Sequence, residues 1–362
     1  MLTHELLYQT AYRLYDFCCF HRLPQAAAVR YKILLHLLDK PYDDPELTAL
    51  RPAFLSSDIV EELYREQDRY GGWGKLQSKD YSAKDKFPTS LTAIERCLYV
   101  GLTIKDRDIL LCASEYLEDF LQGTAHETFR NTNERVIPWN TATVCNALEA
   151  IQPYNPLCDR TYHEWLHIAQ RAFEDGEYSY DRERAAQHDV FGTREDRLIP
   201  MQTELLFKRR CLVPPVMEDA MLRHYGGHAY RYGHLWKESP SELPNDFVYS
   251  KTRRWLSAFQ YINQFCGSAL YLSDAVEWLM ENRNEDGLWD WGTQIRDPWG
   301  YFCYFSTARN PRYNRIVDCT MEILDFLKQY LERNTEPTMR PIKRNGPSPL
   351  AGSAARKPAN TV

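Results

Sequence analysis

Apolar residues recur at three- and four-residue spacing through most of the chain, and no stretch alternates strictly between apolar and polar positions between turn residues. The pattern predicts an all-α protein. Two kinds of helical stretch follow one another. In SDIVEELYREQDRYGG, Ile59, Leu63 and Gln67 share one face and acids fill the rest, as in a helix with one side in water. In TATVCNALEAI, apolar or small residues run nearly all round, as in a helix buried on most sides.

Glycines punctuate this alternation at Gly71, Gly123, Gly176, Gly226 and Gly287, a spacing of roughly 50 to 60 residues that has the character of an internal repeat. Each is followed by a connection of variable length and then by a helix whose start carries a threonine: Thr92, Thr141, Thr203, Thr252 and Thr320. Pro88, Pro138 and Pro200 precede three of these starts and suit a chain that is extended before its helix begins. Five such units, with an N-terminal pair of helices at about 2–20 and 24–38, predict an (α/α)6 toroid of about six inner and six outer helices. The toroid is expected to form one domain over 1–334. Residues 335–362 are rich in Pro, Ser, Ala and Lys/Arg and lack aromatics, so they read as a disordered basic tail.

Composition narrows the partners. A formal net charge of −6 provides no global positive field, which disfavours nucleic acid. The first residues are amphipathic and carry acids, unlike a secretory signal, and no uninterrupted run of about 18 apolar residues predicts a transmembrane helix. The cysteines form no C-x-x-C pair, and several, Cys97, Cys145 and Cys211 among them, sit inside apolar helical patterns. These features predict reduced, buried thiols in a cytoplasmic protein, monomeric or homodimeric, with peripheral membrane contact left open.

VEELYREQDRYGGWG and AVEWLMENRNEDGLWDWG resemble the QW repeats of the squalene-hopene cyclase and protein prenyltransferase superfamily. Gln67, Gly72 and Trp73 match the first copy; in the second, Asn282 stands where the glutamine would be, followed by Gly287 and Trp289. PTSLTA and PWNTAT resemble the starts of inner helices in the same superfamily, and the resemblance spans roughly 57–330. It implies the toroid and, more distantly, isoprenoid chemistry. The D-x-D-D-T-A motif that supplies the proton in class II cyclases is absent: Ser90, Leu91, Asn140, Gln202 and Lys251 occupy the matching positions. Only Asp318, just ahead of Cys319 and Thr320, offers an acid. Asp318 and Cys319 are adjacent, whereas the zinc site of the prenyltransferases needs its Asp and Cys two residues apart, so no metal ligands are assigned. His224, His228 and His234 have no acid at helical spacing either.

Two readings of Asp318 stand side by side: an N-cap of its helix, or a general acid whose acidity is weakened in an aromatic cavity. The connection 176–203 carries His188 and Asp189. The connection before Thr320 carries Asp290, Trp291, Trp299, Tyr301 and Tyr304, and both connections read as lids or walls over a cavity mouth. Trp139 and Asn140 at one inner-helix start, and Lys251, Arg253 and Arg254 at another, are further substrate-binding candidates, the basic trio for a diphosphate.

The leading expectation is therefore an isoprenoid-processing, terpene cyclase-like enzyme with Asp318, Asp290 and Asp189 as candidate acids. It requires no cofactor, and Mg2+ enters only if the substrate is a diphosphate. Two alternatives accompany it. One is a carbohydrate-active (α/α)6 hydrolase, lyase or epimerase using a carboxylate pair. The other is a non-catalytic toroid that depends on a partner.

Overall fold

The computed structural model describes residues 2–74, 76, 89–123, 137–192, 200–227, 243–248, 252–293, 305 and 311–335. These residues are all-α, with no strand among them. The helices are α1 (His4–Phe20), α2 (Ala26–Lys32, continued by a π-helical turn, Ile33–Leu37), α3 (Pro45–Leu55), α4 (Asp58–Glu66), α5 (Ser90–Val100), α6 (Ile109–Gln122) and α7 (Ile137–Ile151). They continue with α8 (Asp159–Ala172), α9 (Tyr180–Phe191), α10 (Pro200–Lys208), α11 (Pro215–Gly227), α12 (Thr252–Ile262), α13 (Ala269–Glu281) and α14 (Arg312–Thr335).

Burial divides these helices into the two kinds that the periodicity anticipates. α1, α3, α4, α6, α8, α11 and α13 each expose residues at helical intervals; α8, for example, exposes Arg160, His163, His167, Gln170 and Arg171. Among the described side chains, α2, α7 and α12 expose none, α5 exposes only Glu95, and α10 only Lys208. In α14 the ten residues 315–324 are buried without a break. Apart from α3 and α9 the two kinds alternate along the chain, and each buried helix packs against an exposed one: α1 on α2, α4 on α5, α6 on α7, α8 on α10, α11 on α12 and α13 on α14.

The buried helices also touch one another in sequence. α2 meets α5, where the Lys32 ammonium donates to the Tyr99 carbonyl at 2.6 Å, and α5 meets α7. Asn146 Nδ2 on α7 donates to Glu204 Oε2 on α10 at 3.1 Å, and the Phe207 ring meets Phe265, just past α12, edge to face at 4.8 Å. Asn263 Nδ2 donates to the Phe326 carbonyl of α14 at 2.8 Å, and Asp325 of α14 returns to Lys32 of α2 at 2.8 Å.

The two tryptophan-bearing turns are one device used twice. Gly71 donates its N–H to the Asp68 carbonyl and Asp68 donates to the Gly72 carbonyl; Gly287 and Asn284, and Asn284 and Leu288, repeat both bonds. The Asp68 and Asn284 side chains each accept two backbone N–H groups of their own turn. Trp73 sends its indole N–H back to the Leu63 carbonyl at 2.9 Å, and Trp289 sends its own to Leu279 at 2.6 Å, closing the C-terminus of the exposed helix. Each tryptophan backbone N–H then donates to a hydroxyl of the next buried helix, Ser90 Oγ or Thr320 Oγ1. This register pairs Gln67 with Arg283, so Asn282 is not the counterpart of the glutamine; its side chain bonds the Trp278 carbonyl instead. Gly71 has a left-handed backbone (φ +88°), and a Cβ there would collide with the Cys112 carbonyl.

Three expectations are corrected. Gly226 marks no turn: it lies within α11, where its missing Cβ admits the Tyr271 ring. The segment after Gly176 is not a long lid, because it folds into α9 and packs on α8. α14 begins at Arg312, two turns before Thr320, because the chain from 312 onward already presents helical spacing to the core.

Gly71→Ala is expected to destabilise the fold by about 1–3 kcal/mol through backbone strain alone, and Trp289→Phe, which removes the indole bond to the Leu279 carbonyl but leaves that of the Asn282 N–H, by about 1 kcal/mol. Urea unfolding measures both, and Trp73→Phe should match Trp289→Phe if the turns are equivalent.

Candidate functional site

Asp290 follows the second tryptophan turn and is held by Arg315 of α14. The guanidinium meets both carboxylate oxygens, Nε to Oδ1 at 3.0 Å and Nη2 to Oδ2 at 3.1 Å, while the Gly292 N–H donates to Oδ1 at 2.9 Å. A carboxylate so engaged ties the connection to the buried helix. Trp291 stacks on Phe247 at 5.0 Å and is buried in the core, so this ring is no cavity wall.

Asp318 is neither an N-cap nor at a helix mouth. It lies in the second turn of α14, buried, and Oδ1 accepts the Phe305 N–H at 2.8 Å. Its carboxylate therefore ties Phe305 to α14. The N-cap reading fails because the helix starts six residues earlier.

The remaining candidates do not converge on these two. His188 and Asp189 are exposed on α9. Asn140 is half-buried in the first turn of α7. Trp139 sits beside it, and Arg253 and Arg254 fall in the first turn of α12; the side chains of these three lie outside the described residues. Lys251, Trp299, Tyr301 and Tyr304 lie outside them altogether, as does the tail from 336.

A different pair of acids has the properties sought. Glu204 on α10 and Asp325 on α14 are each partly reachable by solvent, yet burial pushes both carboxyls above their usual range. For Glu204 the opposing pulls of Lys208 and of the Asn146 amide do not offset that burial; for Asp325 those of Lys32 and Lys328 do not. A carboxyl crowded in this way by protein can hold a proton at higher pH and deliver it. Asp325 belongs to a stripe: Asp318, Glu322, Asp325, Gln329 and Glu332 follow i, i+4, i+7, i+11 and i+14 and so share one face of α14.

Cations oppose this face. Lys32 Nζ lies 2.8 Å from Asp325 and 3.7 Å from the centre of the Tyr99 ring, while Lys328 pairs with Asp39 and Glu332. His36, one turn along α2, has its pKa lowered to about 4, first by burial and then by Lys32 and Lys328.

The basic run Lys208–Arg210 at the end of α10 is not a solvated face. Arg209 is 4% exposed and reaches Glu149, Asp159 and the Asn155 carbonyl, which locks α7, α8 and α10 together. Cys97 and Cys145 are buried as expected, whereas Cys211 is exposed. The sequence signal for Glu204 and Asp325 is an acid directly followed or flanked by large apolar residues, as in ELLF and ILDFL.

No group of three or more potential metal-ligating side chains gathers among the described residues, and none of their helices is long and apolar enough to cross a membrane. Comparison with protein-family models, with curated proteins and with solved structures finds no match to this chain.

His36 sets a pH dependence. In the unfolded chain the ring protonates near 6.5, in the folded protein only near 4, so the unfolded state binds more protons between these values. Stability is therefore expected to fall as pH drops through 6.5 to 4, by up to about 3 kcal/mol. Urea unfolding across that range should show the slope, and His36→Gln should reduce it. Glu204 has the opposite sign: with its folded pKa raised, it costs stability once pH rises through that value. Glu204→Gln is expected to stabilise the protein at neutral pH in the same assay.

Proposed function

We propose that the buried helices α2, α5, α7, α10, α12 and α14 form the inner ring of an (α/α)6 toroid, and that the chain is an acid–base enzyme acting on a polyhydroxylated, carbohydrate-type substrate. The cycle of contacts from α2 round to α14 and back through the Lys32–Asp325 pair supports the architecture. One observation carries the function: Glu204 and Asp325, on two different buried helices, are solvent-reachable carboxyls made weaker acids by burial.

In this reading the more protonated carboxyl donates a proton to the departing oxygen, and the other, kept ionised beside Lys32, acts as base or nucleophile. Asn146 orients Glu204 through its amide, and the lysines hold polar or anionic groups of the substrate. Such surroundings favour hydroxyl-rich substrates over a carbocation, which Lys32 and Lys328 would repel.

The isoprenoid reading keeps one specific support, the duplicated tryptophan turns at Trp73 and Trp289 with their matched bonds. Asp318 would then be its acid, acting on a prenyl substrate.

Product analysis separates the two. Purified protein is offered a panel of neutral and uronic-acid oligosaccharides and, separately, squalene and prenyl diphosphates with Mg2+. The carbohydrate reading expects turnover of a sugar, reduced about 10²-fold or more in Glu204→Gln with folding intact. Cyclised or cleaved prenyl products that persist in Glu204→Gln and vanish in Asp318→Asn would replace it with the isoprenoid reading.

A further inference from the structure

Two cysteines that no short motif joins meet at the joint between α7 and α8. Cys145 lies in α7; Cys158, 13 residues on, closes the 3-10 turn Pro156–Cys158 that leads into α8. The Cys158 thiol donates to the Cys145 carbonyl at 3.8 Å, and both side chains are buried. Neighbouring acids repeat the pairing. Glu149, one turn beyond Cys145, and Asp159, next to Cys158, are bridged by the Arg209 guanidinium, Nε to Glu149 Oε1 at 3.1 Å and Nη1 to Asp159 Oδ1 at 2.5 Å. The same guanidinium holds the Asn155 carbonyl at 2.8 Å, so the two segments are clamped where the cysteines meet.

The surroundings divide the labour between the two sulfurs. Donation from the Cys158 thiol, and then from the Thr161 hydroxyl, draws the Cys145 thiol below its usual pKa against the opposing effect of burial. Hydrogen bonding to Cys145, together with burial, makes Cys158 a weaker acid. Cys145 is thus the nucleophile and Cys158 the thiol that follows it. Pro156, Leu157 and Asp159 are exposed on either side of Cys158, so the pair lies directly beneath the surface. A small reagent reaches that depth through a slight opening of the turn, whereas a bulky disulfide does not.

We infer that Cys145 and Cys158 are a redox-active pair, which hydrogen peroxide converts to a disulfide and a dithiol reductant restores. The Cys145 thiolate attacks one peroxide oxygen; the O–O bond breaks, a sulfenic acid forms, and the other oxygen leaves as water with the Cys145 proton. The Cys158 sulfur then attacks Cys145, the S–S bond forms, and the sulfenic oxygen leaves as a second water with the Cys158 proton. Two thiols are oxidised and one peroxide is reduced. The new bond closes the chain from 145 to 158 into a loop beside the Arg209 clasp, which restricts the unfolded state and stabilises the joint. This inference does not rest on the acid–base reading, since it uses none of the residues assigned there.

Peptide mapping of the unaltered full chain tests it. Cys145 and Cys158 fall on one tryptic peptide, 136–160, which holds no other cysteine. The folded protein is treated with hydrogen peroxide, quenched, denatured and alkylated with N-ethylmaleimide. The 136–160 peptide is expected to be two hydrogens lighter and unalkylated, and dithiothreitol before alkylation should return both thiols. The oxidised protein should also gain a few degrees in Tm, a gain lost on reduction. In peroxide-treated Cys158→Ser, dimedone is expected to label Cys145, and in Cys145→Ser to leave Cys158 unlabelled. Two alkylated thiols in the 136–160 peptide once peroxide has oxidised the exposed Cys19 and Cys211, or a disulfide from either cysteine to a different one, would overturn the assignment.

Discussion

Ten consecutive buried residues in α14, from Arg315 to Leu324, impose a demand that the rest of the structure meets. A helix with no side in water needs protein on every side. α13 and α1 cover α14 from outside, while α12 and the π-helical end of α2 flank it through Asn263–Phe326 and Lys32–Asp325. The same demand, repeated at α2, α5, α7, α10 and α12, obliges each buried helix to bring an exposed partner and two buried neighbours. The first and last of these buried helices, α2 and α14, are themselves joined by the Lys32–Asp325 pair.

The turns make that arrangement repeatable. Trp73 and Trp289 each bond backward into the exposed helix and forward into the buried one, so a single residue sets the distance and pitch of a helix pair. Where the tryptophan is missing, other chemistry takes over. Tyr178 follows Gly176 at the same interval, but its hydroxyl binds Glu183 on the added helix α9. Between α7, α8 and α10, buried Arg209 serves as the clasp. Polar groups inside the protein are not all matched alike. Asp290 is matched by Arg315; Glu204 and Asp325 also join helices, through Asn146 and Lys32, but their burial is left unbalanced by these partners.

Much of this was legible in the chain itself. Local periodicity separated α4 from α7 because a helix's own residues record how many of its sides meet water, and the turn glycines at 71, 123, 176 and 287 were identifiable because only glycine adopts their left-handed backbone at little cost. The repeated G-x-W likewise announced a recurring helix-pair joint. All of these are properties of a short stretch of chain acting on its own neighbours.

Tertiary structure decided the rest. Asp318 and Asp290 looked like free acids beside an aromatic loop, but the Phe305 N–H and the Arg315 guanidinium reach them from 13 and 25 residues away. Glu204 and Asp325 looked like unremarkable helical acids, and their altered acidity comes from crowding by α7 and α2, which their own sequence does not encode. Acidity and pairing depend on what fills the space around a side chain, and that is set only when distant helices close upon one another.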